Sequence, residues 1–139
     1  MTTLLVEYQL DPETSGWTAT MPDVPAVVTQ GKTLKEAHER VRAALSLVRD
    51  DAADVVLQGR TVWPDEAFDI SEEAMKVVQI EADLRVQALD IDSRLESATV
   101  QAVQILVREE KQTYRRAGSL LGISHQRVEQ IVVKSAATE

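Results

Sequence analysis

The residues best suited to do chemistry lie near the end of the chain, in Tyr114-Arg-Arg-Ala-Gly-Ser-Leu-Leu-Gly-Ile-Ser-His-Gln-Arg-Val-Glu-Gln-Ile131. This stretch reads as two short helices joined at Gly122-Ile123-Ser124, a helix-turn-helix. Gly122 can take the left-handed conformation that closes a helix at no side-chain cost. Ser124 follows as the cap of the next helix, its hydroxyl accepting a free N–H. Ala117, Leu120 and Leu121 are expected to face inward, and the small pair Ala117 and Gly118 lets a second helix approach closely. Ile123 plugs the corner, and Val128, Ile131 and Val132 return to the core at helical spacing. His125, Gln126, Arg127, Glu129 and Gln130 are then left outside. A helix presented this way fits the major groove of duplex DNA, with its N-terminal side chains at base edges. Arg127 has the fork that pairs with guanine, or with an acidic side chain on the protein's own surface, and Gln126 or Gln130 the amide that pairs with adenine. Lys111, Arg115 and Arg116 are placed for phosphates, which orient but do not specify. Ser124 and His125 complete the expected DNA-facing set.

The net charge of −8 is unpromising for a DNA binder until it is divided along the chain. From Lys111 onward, Lys111, Arg115, Arg116, Arg127 and Lys134 oppose only Glu129 and Glu139, a net of +3. The preceding 110 residues carry ten basic and twenty-one acidic residues, a net of −11. Phosphate affinity depends on local positive charge, and that charge sits where the helix-turn-helix does. An acidic front suits a basic protein partner, or simply keeps the chain in solution. Absence of cysteine excludes disulfides and thiolate metal sites and fits a reducing cytoplasm. Glu7, Asp11 and Glu13 break up any apolar leader, and no apolar run is long enough to span a membrane. A cytoplasmic protein is expected.

The elements that carry this stretch can be read from periodicity. Leu4, Val6, Tyr8 and Leu10 alternate with Glu7 and Gln9, a half-buried strand. Asp11 to Gly16 has turn composition, and Trp17, Ala19 and Met21 alternate in a second strand. A third strand is expected over Ala26 to Gln30. At Thr33-Leu-Lys-Glu36 a capping box starts a helix with a buried stripe of Leu34, Ala37, Val41, Leu45 and Val48, ending near Asp50. Residues 51 to 65 are ambiguous between helix and strand, and Ala67 to Ile70 suggest a short edge strand. From Ser71, a possible cap, the chain turns helical. Leu84, Ala88, Ile91, Leu95, Ala98, Ala102 and Ile105 recur at steps of four and three, a heptad-like seam that suits a dimer. Ser93 and Glu96 form a second possible capping box, which would kink this rod.

The front residues resemble a known family. Tyr8, the acidic turn, Gly16-Trp17-Thr-Ala-Thr-Met-Pro-Asp-Val-Pro25, Thr29-Gln-Gly31 and Thr33-Leu-Lys-Glu-Ala37 resemble the HicB-like antitoxin domain, over roughly residues 4 to 50. The resemblance implies a partial RNase H fold that binds and blocks a small basic toxin, a ribonuclease that cleaves mRNA. It also implies a rear domain that binds the operon's own operator.

The expected fold is therefore α+β: a small antiparallel sheet with one packed helix over 1–70, a helical linker or dimerisation segment over 71–111, and a helix-turn-helix over 112–139. The expected function is antitoxin-like autoregulation of transcription by a homodimer on double-stranded DNA. Two other readings share the features: a stand-alone regulator with no toxin, and a protein-assembly module with no DNA affinity. No enzymatic activity and no cofactor are expected. An RNase H-type nuclease needs carboxylates converging on two metal ions. Glu7, however, points away from the apolar face, and Asp11 and Asp23 sit in turns that favour Asp.

Overall fold

The computed structural model describes residues 2–64 and 69–137. In chain order the elements are β1 (Thr3–Leu10), β2 (Trp17–Thr20), β3 (Val28–Gly31), α1 (Leu34–Ser46), a 3-10 turn (Ala52–Asp54) and β4 (Val56–Val62). They are followed by α2 (Glu72–Gln104), a π turn (Ile105–Glu109), α3 (Tyr114–Leu121) and α4 (His125–Ala137). Two compact units result, Met1–Arg94 and Leu95–Glu139. The architecture is α+β, as the periodicities imply.

In the first unit four strands form one sheet in the order β3-β2-β1-β4. Strands β1, β2 and β3 are antiparallel neighbours, but β4 runs parallel to β1, so the sheet is mixed rather than antiparallel throughout as expected. Register explains which face is covered. Leu4, Val6 and Tyr8 stand opposite Leu57, Gly59 and Thr61, so in-register side chains share a face. Onto that face α1 packs Leu34, Ala37, Val41 and Leu45, and α2 adds Ala82 and Val86. The opposite face is polar, with Glu7 and Arg60 paired across β1 and β4. A sheet with one solvated face alternates in sequence, which is why β1 was legible.

Local chemistry fixes the connections. Asp11 Oδ1 accepts the Glu13 N–H at 2.9 Å, and Ser15 takes a positive φ of 59° to close the turn into β2. Thr33 Oγ1 accepts the Glu36 N–H at 3.1 Å and starts α1. Gly31 is required by space: a Cβ there would lie 2.4 Å from the Ala37 nitrogen. Strand β3 therefore delivers the chain directly against the first turn of α1. Beyond β4, Trp63 meets Trp17 edge-on, with ring centroids 5.4 Å apart and planes at 90°. Its indole N–H donates to Thr61 Oγ1, which in turn donates to Asp83 Oδ1 at 2.6 Å and so ties α2 to β4.

One buried carboxylate gathers the unit. Asp90 is 2% exposed, and its oxygens receive Arg42 Nη2, Arg94 Nε at 3.0 Å and the Leu57 N–H at 3.2 Å, with His38 Nε2 at 3.5 Å. Arg42 also donates to the carbonyls of Ala52 and Val55, each at 2.8 Å, so the loop entering β4 hangs from the same guanidinium. Burial pushes the Asp90 carboxyl upward, but the hydrogen bonds from His38 and Arg42, with the Arg42 charge, outweigh it and hold it below the usual carboxylate range.

Several expectations change here. The fourth strand comes from residues 56–62, inside the stretch that was ambiguous; of the short edge strand expected over Ala67 to Ile70, residues 67 and 68 lie outside the described residues and Asp69 and Ile70 form a bend. Helix α1 stops at Ser46 rather than near Asp50, and Val48 is 52% exposed instead of buried. No kink divides α2. Ser93 donates to the Leu89 carbonyl at 3.0 Å, a bond made within a continuing helix, so it caps nothing. The stripe that α2 buries in the first unit is Ala82, Val86 and Asp90, while Leu84, Ala88, Ile91 and Leu95 face outward.

Replacing Asp90 by Asn leaves Arg42 and Arg94 without their counter-charge in a closed site. The expected cost is about 3 kcal/mol of unfolding free energy near neutral pH. Because the folded carboxyl titrates below the unfolded one, its contribution is complete above about pH 4 and is lost as pH falls through the lower folded value. Urea unfolding at stepped pH should therefore show the variant and the parent converging on acidification. A constant gap down to the acid limit would mean that the Asp90 charge is not what stabilises the unit.

Candidate nucleic-acid interface

The second unit is held by Val103, Ala117, Val128 and Ile131, with Val100, Leu106, Val107, Leu121, Ile123 and Val132 packed around them. After Gln104 the helix widens into the π turn, which ends with Glu110 N–H bonded to the Ile105 carbonyl at 3.0 Å. Lys111 then takes a φ of 56°, an uncommon conformation for a residue with a Cβ, and the chain reverses into α3. Thr113 Oγ1 accepts the Arg116 N–H at 3.1 Å as the α3 cap.

The helix-turn-helix closes as its residues imply. Gly122 is left-handed at φ 71°, and the Ile123 N–H bonds to the Gly118 carbonyl at 2.9 Å. Ser124 Oγ accepts the Arg127 N–H at 3.1 Å and starts α4. Gly118 serves the turn itself: a Cβ there would lie 2.7 Å from the Ile123 carbonyl oxygen. Leu120, expected inward, is 59% exposed. Eight residues give α3 only two turns, and Ala117, Gly118 and Leu121 already fill its inner side.

The surface this leaves is polar and partly basic. His125, Gln126, Glu129 and Gln130 are exposed on α4, and Arg115 and Arg116 are exposed in the first turn of α3. Two arginines at the positive end of a helix dipole are unfavourable within the fold. Arg127 has a partner: Nη2 lies 2.8 and 2.9 Å from the two oxygens of Glu96. Both side chains are more than 40% exposed, at 42% and 59%. Such a surface pair is worth about 0–1 kcal/mol.

Sequence reasoning allowed Arg127 an acidic surface partner without identifying Glu96, and it missed the whole Asp90 cluster. A signal for the second exists. Ala82, Val86 and Asp90 recur at steps of four, so a carboxylate shares a helix face with small apolar residues. On α1, His38 and Arg42 recur at the same step. The acids near the strands do not converge: Glu7 pairs with Arg60, and Asp11 is engaged in its own turn.

Comparison with known proteins supplies a relative. Over 54 residues, 39% of this chain and 69% of the relative, it is 37% identical to a UPF0150 protein of Thermotoga maritima. The chain belongs to the UPF0150 family. No family model matches this UPF0150 member, and no solved structure matches it.

The two glycines of the helix-turn-helix predict unequal costs in this UPF0150 chain. Gly122→Ala adds a methyl with nothing within 4 Å, so only the backbone penalty remains, about 1 kcal/mol. Gly118→Ala must push the Ile123 carbonyl away and should cost at least about 2 kcal/mol. Denaturant unfolding of the full chain, followed by helical circular dichroism, checks the order of the two; equal losses would contradict the close approach at Gly118.

Proposed function

We propose that this UPF0150 member is a DNA-binding transcriptional regulator of the antitoxin type, acting in the cytoplasm on its own operator. Its first unit binds and neutralises a small basic toxin that cleaves mRNA. The observation that carries the DNA half is the Ser124-capped helix α4, which leaves His125, Gln126 and Gln130 exposed beside an Arg127 held only by a surface ion pair. This is the presentation a recognition helix needs, with polar side chains at the helix start free to meet base edges. Arg115 and Arg116 supply phosphate contacts from α3. Two copies on a two-fold site with half-sites roughly 34 Å apart double what a single short helix can provide.

Support for the antitoxin half comes from the HicB-like motifs of the front residues and from membership of the UPF0150 family. The acidic balance ahead of Lys111 suits a basic partner. The solvated face of the sheet and its edge strands offer that partner a surface.

Binding of the purified chain to its promoter fragment, against scrambled DNA of equal length over a salt series, tests the DNA half. Selective binding that weakens steeply with salt is the expected result. Arg127→Ala should lower selectivity about tenfold or more, since one bidentate base contact discriminates by about 1–3 kcal/mol. Arg116→Ala should weaken cognate and scrambled binding alike and flatten the salt slope by about one. No selectivity at any salt concentration would reduce the second unit to an assembly hairpin.

A further inference from the structure

The long helix α2 is apolar on two sides, and only one is used inside the first unit. Ala82, Val86 and Asp90 point into that unit. About half a turn away, at 100° per residue, lie Val77 (63% exposed), Ile80 (61%), Leu84 (60%), Ile91 (55%) and Leu95 (62%), with the exposed Ala88 between them. From Leu84 the steps are four, three and four, the spacing of a coiled-coil seam. A solvated helix face has no reason to keep large aliphatic residues at that spacing.

We propose that this face is the seat of a second copy of the chain, with the two α2 helices packed antiparallel. The sequence of the face selects both the partner and the direction. In an antiparallel pair centred between residues 89 and 90, Leu84 lies opposite the partner's Leu95. Ala88 then lies opposite the partner's Ile91, small against large, as close helix packing prefers. The same two-fold brings Arg85, on the flank of the seam, opposite the partner's Asp92, and Asp92 opposite the partner's Arg85. Parallel pairing loses both charge matches and sets Glu81, which falls on the seam one turn before Arg85, against the partner's Glu81. Arg85 bonds Glu81 within its own helix, which draws that carboxylate toward the flank. A surface that complements itself under a two-fold axis is what a closed homodimer requires. This dimer does not depend on DNA binding, and its test uses no DNA.

The chain has no cysteine of its own, so introduced thiols report geometry without background. Sedimentation of the full chain over a concentration series should give a dimer, and Leu84→Glu should shift it to monomer with helical circular dichroism retained. Arg85→Asp alone should weaken dimerisation about tenfold, and the double variant Arg85→Asp/Asp92→Arg should recover most of that loss. For direction, Leu84→Cys and Leu95→Cys variants are purified separately, mixed and oxidised. Antiparallel pairing joins the two variants to each other and neither to itself, since like positions lie about 16 Å apart along the axis, from eleven residues at 1.5 Å each, too far for a disulfide. Each variant cross-linking to itself would overturn the antiparallel arrangement. A monomer at every concentration, or a Leu84→Glu variant that remains dimeric, would overturn the interface.

Discussion

The first unit depends on one carboxylate kept charged where water cannot reach it. Burying Asp90 alone would be strongly unfavourable, and three elements meet because together they supply what it lacks. Helix α1 brings His38 and Arg42, β4 brings a backbone N–H at Leu57, and α2 brings Arg94 one turn on. Remove any of these and the others face an uncompensated charge. Tyr8, in the same core, is pushed well above its ordinary value by burial, with the Asp90 charge adding to the effect, so its hydroxyl stays neutral. An apolar core of this size is close to the limit of independent stability. The ionic cluster adds specificity, because it is satisfied only when α1, β4 and α2 are in one register.

Local signals in the sequence were read well, and non-local ones less so. Alternation marked β1 because one face of the sheet is solvated, and Thr33, Ser71 and Ser124 each accept the N–H that a cap should. Strand β4 was hidden for a physical reason. Its Val55-Val56-Leu57 start is a short apolar run that suits helix or strand equally, and its identity is decided by pairing with β1, more than fifty residues earlier. The buried turn of Ala82, Val86 and Asp90 was masked by the larger aliphatic residues on the other side of the same helix. Pattern reading favours the bulkier stripe; the fold placed the smaller one against the sheet, where Gly59 leaves room for Val86 at 3.0 Å from an added Cβ.

The helix-turn-helix was legible because it is set by local chemistry: a left-handed glycine, a serine cap and apolar returns. Position alone did not disclose the state of Arg127. Its Glu96 partner lies 31 residues away, on the last part of α2, and only the packing of α3 and α4 on that helix brings them together. Leu120 shows the limit of periodicity in a two-turn helix, where one residue more or less decides which side faces in.

The edge-on pair Trp17 and Trp63 has a practical corollary. These are the chain's two tryptophans, and both belong to the first unit. Intrinsic indole fluorescence is therefore blind to the helix-turn-helix and reports the sheet alone, whereas far-ultraviolet ellipticity is dominated by the helices. Melts recorded by the two signals separate a chain that unravels as one cooperative body from one whose helix-turn-helix lets go first.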